Sequence, residues 1–174
     1  RIVSTLRVTV LARLLGDALP PAIVAAASTL RFRTIRLVFL RLARSRVSDA
    51  ATLYFPDPGM CLSRVHEPKN RSVPMAPAGE TSLVAEVPCF VGDPIHALTD
   101  ERVAARVVQE LAAVGVIAAT DVVEWRHHML HAAYPVYRIG YATIVLQVLD
   151  ALRAIGNLDT LGRGARFVYS HLHD

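Results

Sequence analysis

The sequence predicts an α+β fold: a mostly antiparallel sheet with helices between its strands, and short pieces at each end that look borrowed from another sheet. Three observations carry this. Arg31 to Arg46 and Thr81 to Cys89 alternate with period two, as half-buried strands do. Asp100 to Val114 carries Val103, Val107, Leu111 and Val114 on one helical stripe. Pro56-Asp57-Pro58-Gly59 is the densest turn signal in the chain, with short strand-like runs on either side.

Residues 1–5 read as the end of a strand, and Thr9 to Leu15 as a short helix stopped by Gly16. Pro20 and Pro21 open a second helix reaching about Leu30, proline being at home in a first turn. In the long strand that follows, one side carries Phe32, Thr34, Arg36, Val38, Leu40 and Leu42. The other carries Ile35, Leu37 and Phe39 between Arg33 and Arg41. Ala51–Phe55 and Cys61–His66 are the short strands about the turn, and Glu67–Glu80, with three prolines and a glycine, is a loop. Thr99 is placed as N-cap of the clearest helix, with Asp100 and Glu101 in its first turn, Leu98 stapling against Val103, and Gly115 ending it. Val122–His131 is expected as a strand and Tyr141–Ala154 as a helix closed by Gly156. Leu158–Leu161 is a last strand running into Gly162-Arg163-Gly164.

The 174 residues are 53% hydrophobic and 20% charged, a globular composition long enough to bury a core. Mean hydropathy is +0.37, which implies a large buried surface and apolar faces that pack on a further part of a protein. The first residue is Arg1, and the expectation is that the chain is a piece of something longer. No apolar run reaches the roughly 18 residues of a membrane span.

Charge is uneven. Residues 1–48 hold nine arginines and one acid, Asp17, whereas residues 49–174 hold ten basic and fourteen acidic residues. The six arginines of Arg31–Arg46 would scatter around a helix, leaving no basic face, and no basic module is matched, so nucleic-acid binding is not expected. Cys61 and Cys89 form no CxxC pair and read as two lone thiols.

Chemistry-bearing clusters are small. His127, His128 and His131 lack the glutamate of HExxH and read as structural or surface histidines. His171 and His173 form H-x-H on an extended chain, without a third ligand, and no metal is expected. There is no G-x-S-x-G, and Asp100-Glu101 is explained as a helix first turn. Gly162-Arg163-Gly164-Ala165-Arg166-Phe167 starts like a dinucleotide fingerprint but has Phe167 at the third glycine. What remains is a strand ending in glycines, where backbone amides approach a ligand closely.

Taken in order, IVST (Ile2–Thr5), YFPDPG (Tyr54–Gly59), RVHEPKN (Arg64–Asn70), MAP (Met75–Pro77), TSLVAEVPC (Thr81–Cys89), AYPVYRIGY (Ala133–Tyr141) and LGRGARFVY (Leu161–Tyr169) resemble a known pattern. It is the carboxyl-terminal half of FAD-dependent amine-oxidase-like oxidoreductases, of the protoporphyrinogen-oxidase-like and UDP-galactopyranose-mutase-like branch.

The resemblance implies a substrate-domain sheet flanked by terminal pieces of an incomplete, Rossmann-like FAD-binding domain. Residues 1–16 would end the FAD-binding domain, 17–135 form the substrate-binding domain, and 136–174 return to the FAD-binding domain. It implies FAD in the full-length parent, with Gly162, Arg163, Gly164, Phe167, Tyr169 and His171 toward the cofactor. Tyr134, Tyr137, Tyr141 and Arg64 would face a small-molecule substrate, and His173 and Asp174 would enter the closing helix. Activity would be oxidation of an amine or porphyrinogen-type C–N or C–C bond. A mutase-like use of flavin on a sugar nucleotide, with Arg33, Arg36 or Arg64 on its diphosphate, is the alternative, and a non-catalytic binding module is a third. Leu6-Arg7 stand where the pattern has proline, and the amino-terminal GxGxxG is not in these residues. The chain alone is therefore expected to be inactive and prone to self-association, in a cytoplasmic parent whose membrane association is left open.

Overall fold

The computed structural model describes residues 1–170; His171, His173 and Asp174 lie outside the described residues. The chain is α+β and divides into two compact units, Arg1–Arg33 with Ala132–Asp174, and Thr34–His131.

The first unit is built on two short parallel strands, β1 (Ile2–Ser4) and β7 (Leu158–Thr160), with Ile2 opposite Leu158 and Ser4 opposite Thr160. Around them lie α1 (Val8–Leu15), α2 (Pro21–Ser28), α5 (Tyr141–Arg153) and the single turn α6 (Arg163–Arg166). Helix α1 buries Val8, Leu11 and Ala12, spaced to share one face. Gly16, at φ 48°, closes it in a conformation glycine adopts readily. In α5 the residues Val145, Val148, Leu149 and Leu152 form the buried stripe. These side chains meet Leu19, Ala27, Leu30, Leu158 and Phe167 in one core.

The second unit contains β3 (Thr52–Tyr54), β4 (Arg64–His66), β5 (Thr81–Cys89), the one-turn α3 (Pro94–Ala97) and α4 (Asp100–Ala113). With β2 (Phe32–Leu42) and β6 (Val122–Pro135) the strands form a five-stranded sheet in the order β3-β4-β5-β2-β6. The β2–β5, β3–β4 and β4–β5 pairs are antiparallel, with Val38 opposite Ala85 and Arg64 opposite Glu86.

As expected from its alternation, β2 buries Thr34, Arg36, Val38, Leu40 and Leu42 on one side. On the other side Phe39 is exposed. Val38, Leu40, Leu83, Ala85 and Val87 pack with Val103, Val107 and Leu111 of α4. That core rests on strand residues facing one helix stripe.

Helix α4 has the expected boundaries and their chemistry. The Thr99 hydroxyl accepts from Arg102 N, and Gly115 (φ 74°) ends the helix while its N–H donates to Ala112 O and that of Val116 to Leu111 O, a Schellman closure. Val114 is a correction to the sequence reading. It sits past the last turn and is 50% exposed, because the chain leaves helical geometry there. Strand β6 also runs on to Pro135 rather than stopping at His131, through Ala132 at φ 51°.

The motif Glu67-Pro68-Lys69-Asn70 is a loop clip. Buried Glu67 accepts from Val47 N (2.8 Å), Ser48 N (3.0 Å), Thr81 Oγ1 (2.8 Å) and Asn70 Nδ2 (3.1 Å). A buried carboxylate needs such donors, since without them its desolvation would be prohibitive. Neither cysteine is in a disulfide; burial and the Glu110 carboxylate push the Cys61 thiol up to about 12. Among the described residues, no helix is long and apolar enough to cross a membrane, and no His, Cys, Asp and Glu group has metal-site geometry.

Candidate functional site

In the first unit, β7 ends where the chain turns sharply at Gly162 (φ 90°, ψ 167°), a conformation essentially reserved for glycine. A Cβ added there would meet nothing within 4 Å, so backbone geometry rather than crowding selects the glycine. Beyond the strand end opens a cleft of about 1270 Å³, walled by Tyr137, Tyr141, Leu146 and Leu149 on one side and by Gly162, Arg163 and Phe167 on another. Residues assigned to cofactor and residues assigned to substrate thus border the same cavity.

The aromatic wall is ordered by ring contacts. Tyr137 and Tyr141 stack with centroids 4.2 Å apart and planes 6° from parallel, and Tyr134 stacks on Tyr169 at 5.6 Å. Tyr169 meets Tyr137 edge-on at 5.1 Å, and its N–H donates to the Tyr137 Oη at 2.9 Å. Phe167, buried and in the left-handed region (φ 55°), makes an edge contact with Phe32 at 5.0 Å. Burial pushes the Tyr169 hydroxyl up, neighbouring Tyr137 and Tyr134 add to this, and Arg33 and Arg163 oppose it.

Arg163 is held in place. Its Nε and Nη2 both donate to Ser170 O, at 3.0 and 2.6 Å, and its guanidinium lies 5.3 Å from the Tyr134 ring centre. Gly164 is placed differently from Gly162. A Cβ at Gly164 would lie 3.1 Å from Arg7 Cγ, so this glycine permits close packing at the start of α1. His171 lies outside the described residues.

In the second unit, Arg64 is engaged on the sheet face that α4 does not cover. Its Nη2 donates to Glu86 Oε1 at 2.7 Å, and His66 Nε2 donates to the same oxygen at 3.1 Å. A carboxylate only accepts, so Nε2 carries a proton, and Nδ1 pairs with Thr52 Oγ1 at 2.9 Å.

Arg36 occupies the opposite face and is 1% exposed. Its Nε donates to His127 Nε2 (3.0 Å), its Nη1 to Ile95 O and Leu98 O (2.9 and 2.7 Å), and its Nη2 to Asp100 Oδ1 (2.6 Å). That corrects the expectation of Arg36 as a diphosphate contact, because four donors are already used inside the protein. His127 is its buried acceptor, a structural histidine.

Sequence reasoning did not find Leu146 and Arg166 as cleft residues or Arg36 as a buried hub. Leu146 lay outside the apolar stripe of α5, and that off-stripe position was the available signal.

An open-faced antiparallel sheet, together with a helical unit whose parallel strands exit through glycine onto an aromatic cleft, has the class of fold found in amine-oxidase-like flavoproteins. Among solved structures the chain is similar to reduced UDP-galactopyranose mutase (TM-score 0.82, 19% identity), matching 94% of this chain and 35% of that one. A protoporphyrinogen-oxidase-like protein from Exiguobacterium sp. 255-15 matches with TM-score 0.71 and 16% identity, over 93% of this chain and 36% of its own. Putrescine oxidase bound to putrescine matches with TM-score 0.65 and 14% identity, over 95% and 38%. The chain therefore spans little more than a third of the length of these structures. No family model and no curated protein sequence matches it.

Proposed function

We propose that this chain is the carboxyl-terminal portion of a flavin-dependent oxidoreductase acting on the C–N or C–C bond of a small molecule. One observation carries the reading: a parallel strand pair whose glycine exit, Gly162, opens onto the same cleft as Tyr137 and Tyr141. Parallel strands are normally covered on both faces, yet Ile2 and Val3 of β1 are 56% and 58% exposed. This supports their belonging to a larger sheet supplied by an amino-terminal FAD-binding half. Residues 1–16 and 136–174 then contribute to the FAD-binding domain and 17–135 to the substrate-binding domain.

The residues present fit one end of FAD. The cleft is large, has a flat aromatic wall, and admits a ligand against the Gly162 backbone. We read Gly162, Arg163, Gly164, Phe167 and Tyr169 as the cofactor side and Tyr134, Tyr137 and Tyr141 as the substrate border. When bound, FAD supplies the two-electron acceptor, while the protein orients the substrate and excludes water. The stacked Tyr137–Tyr141 pair gives substrate a rigid apolar surface, and the Arg163–Ser170 clamp fixes the cleft rim.

A mutase-like reaction on a sugar nucleotide is the second reading, supported by the TM-score of 0.82 to UDP-galactopyranose mutase. Absorbance of the full-length product tests the class. Bands near roughly 375 and 450 nm are expected from bound flavin, and a colourless, correctly folded full-length protein overturns the proposal. Substrate-dependent bleaching of those bands by amines separates oxidase from mutase. The chain by itself is expected to be colourless and inactive, in keeping with a cytoplasmic parent that supplies the rest of the flavin site.

A further inference from the structure

The cleft of the first unit carries charge that its aromatic and apolar walls do not account for. Arg153, Arg163 and Arg166 all line it, and among the described residues no Asp or Glu does. The unit as a whole holds nine arginines against four aspartates, so its composition adds to the excess rather than offsetting it.

The three guanidiniums differ in what they already hold. Arg153 Nη1 donates to Asp150 Oδ1 at 2.7 Å, and that carboxylate offsets its charge. Arg163 gives Nε and Nη2 to Ser170 O, a carbonyl that accepts the hydrogen bonds and leaves the positive charge in place. Arg166 is exposed, and among the described residues its guanidinium has no partner. Both uncompensated arginines come from the single turn α6, three residues apart and so on neighbouring positions of its surface, while Ala165 between them is buried and anchors the turn.

The floor of the cleft comes from α5. Ala142, Val145, Leu146, Leu149 and Arg153 have the spacing of one helix face, which overlaps the buried stripe at Val145 and Leu149 and leaves Leu146 58% exposed. With Tyr141 in the first turn and Arg153 at the end, this face runs from aromatic to cationic over about 18 Å. Such a surface suits a ligand with a flat apolar part and an oxyanion. It works against a cation, because an alkylammonium would meet guanidiniums of like charge and find no carboxylate on the lining.

We propose that the cleft selects an anionic small molecule and that Arg166, beside Arg163, receives its phosphate or carboxylate group. The inference rests on reading this cleft as the flavin-bearing site, and it narrows the substrate to anions, with free amines excluded. A diphosphate of the cofactor and an oxyanion of the substrate present the same chemistry to Arg166.

Inorganic pyrophosphate is the probe for this chain, titrated calorimetrically at low ionic strength. It is expected to bind, to weaken with added salt, and to lose at least about tenfold in affinity in Arg166→Gln. The melting curve of that variant should be unchanged, since the side chain is exposed. Arg13→Gln removes the same charge from an exposed position of α1 that does not line the cleft, and should leave the affinity as it was. Putrescine, a dication, should not bind. In the full-length product Arg166→Gln separates the two sources: loss of retained flavin assigns the oxyanion to the cofactor, and retained flavin with weakened pyrophosphate binding assigns it to the substrate. Absence of pyrophosphate binding, equal weakening by Arg13→Gln and Arg166→Gln, putrescine binding as tight as pyrophosphate, or a full-length Arg166→Gln protein altered in neither respect overturns the proposal. A colourless full-length protein overturns the flavin reading instead, because pyrophosphate binding by this chain does not depend on flavin.

Discussion

Arg36 Nε donates to His127 Nε2 at 3.0 Å, and His127 Nδ1 donates onward to Asp100 Oδ1 at 3.0 Å, so one buried imidazole joins a cation to an anion. The arrangement requires neutral His127. A second proton would set an N–H against the Arg36 N–H. Burial lowers the His127 pKa from 6.5, with Arg36 and His128 acting in the same sense and Asp100 opposing them.

The sign of the pH dependence follows. The unfolded chain takes up the proton more readily than the folded one, so the stabilisation is complete above about pH 6.5 and is lost as pH falls through the lowered folded value. Denaturant melts across this range should show declining stability on the acid side, and a shallower decline for His127→Gln. An identical acid slope in that variant would remove His127 as the cause.

Arg36→Met should destabilise the protein by about 2–4 kcal/mol, because the carbonyls of Ile95 and Leu98 lose their donor while the site stays closed. Urea unfolding measures it, and a loss below about 0.5 kcal/mol would mean that water replaces the guanidinium.

Glu67→Ala removes the acceptor shared by Val47 N, Ser48 N, Thr81 Oγ1 and Asn70 Nδ2. The expected cost is about 3 kcal/mol, with limited proteolysis first opening the Glu67–Glu80 loop. Cleavage elsewhere, with this loop intact, would contradict the clip.

Gly162→Ala should cost about 1–3 kcal/mol in stability from backbone strain alone, since open space surrounds the added methyl group. Gly164→Ala meets Arg7 Cγ instead, so trimming the neighbour with Arg7→Ala should rescue it but not Gly162→Ala. Thermal melts of the two double variants distinguish the causes.

Much of the fold is legible because several local signals agree. In α4, the Thr99 cap, the Val103–Val107–Leu111 stripe and the Gly115 exit all point the same way, and each is found in the structure. Strand β2 is readable from its alternation, yet that alternation also puts Arg36 on the buried side, where nothing nearby in sequence announces a partner. Its acceptors come from Ile95, Leu98, Asp100 and His127, far along the chain. The continuation of β6 beyond His131 passes through Ala132 at positive φ, a backbone state that alanine does not advertise. In the cleft, Gly162, Tyr137 and Tyr141 were found through the order of motifs, whereas Leu146 depends on which face of α5 is left uncovered.

The pairing of Ile2 with Leu158 has a temporal meaning. During synthesis β1 emerges more than 150 residues before its partner β7, and every segment of Thr34–His131 appears between them. The sheet unit can therefore condense on the ribosome as a contiguous insertion. The unit that holds the cleft is completed last, when Leu158 arrives opposite Ile2.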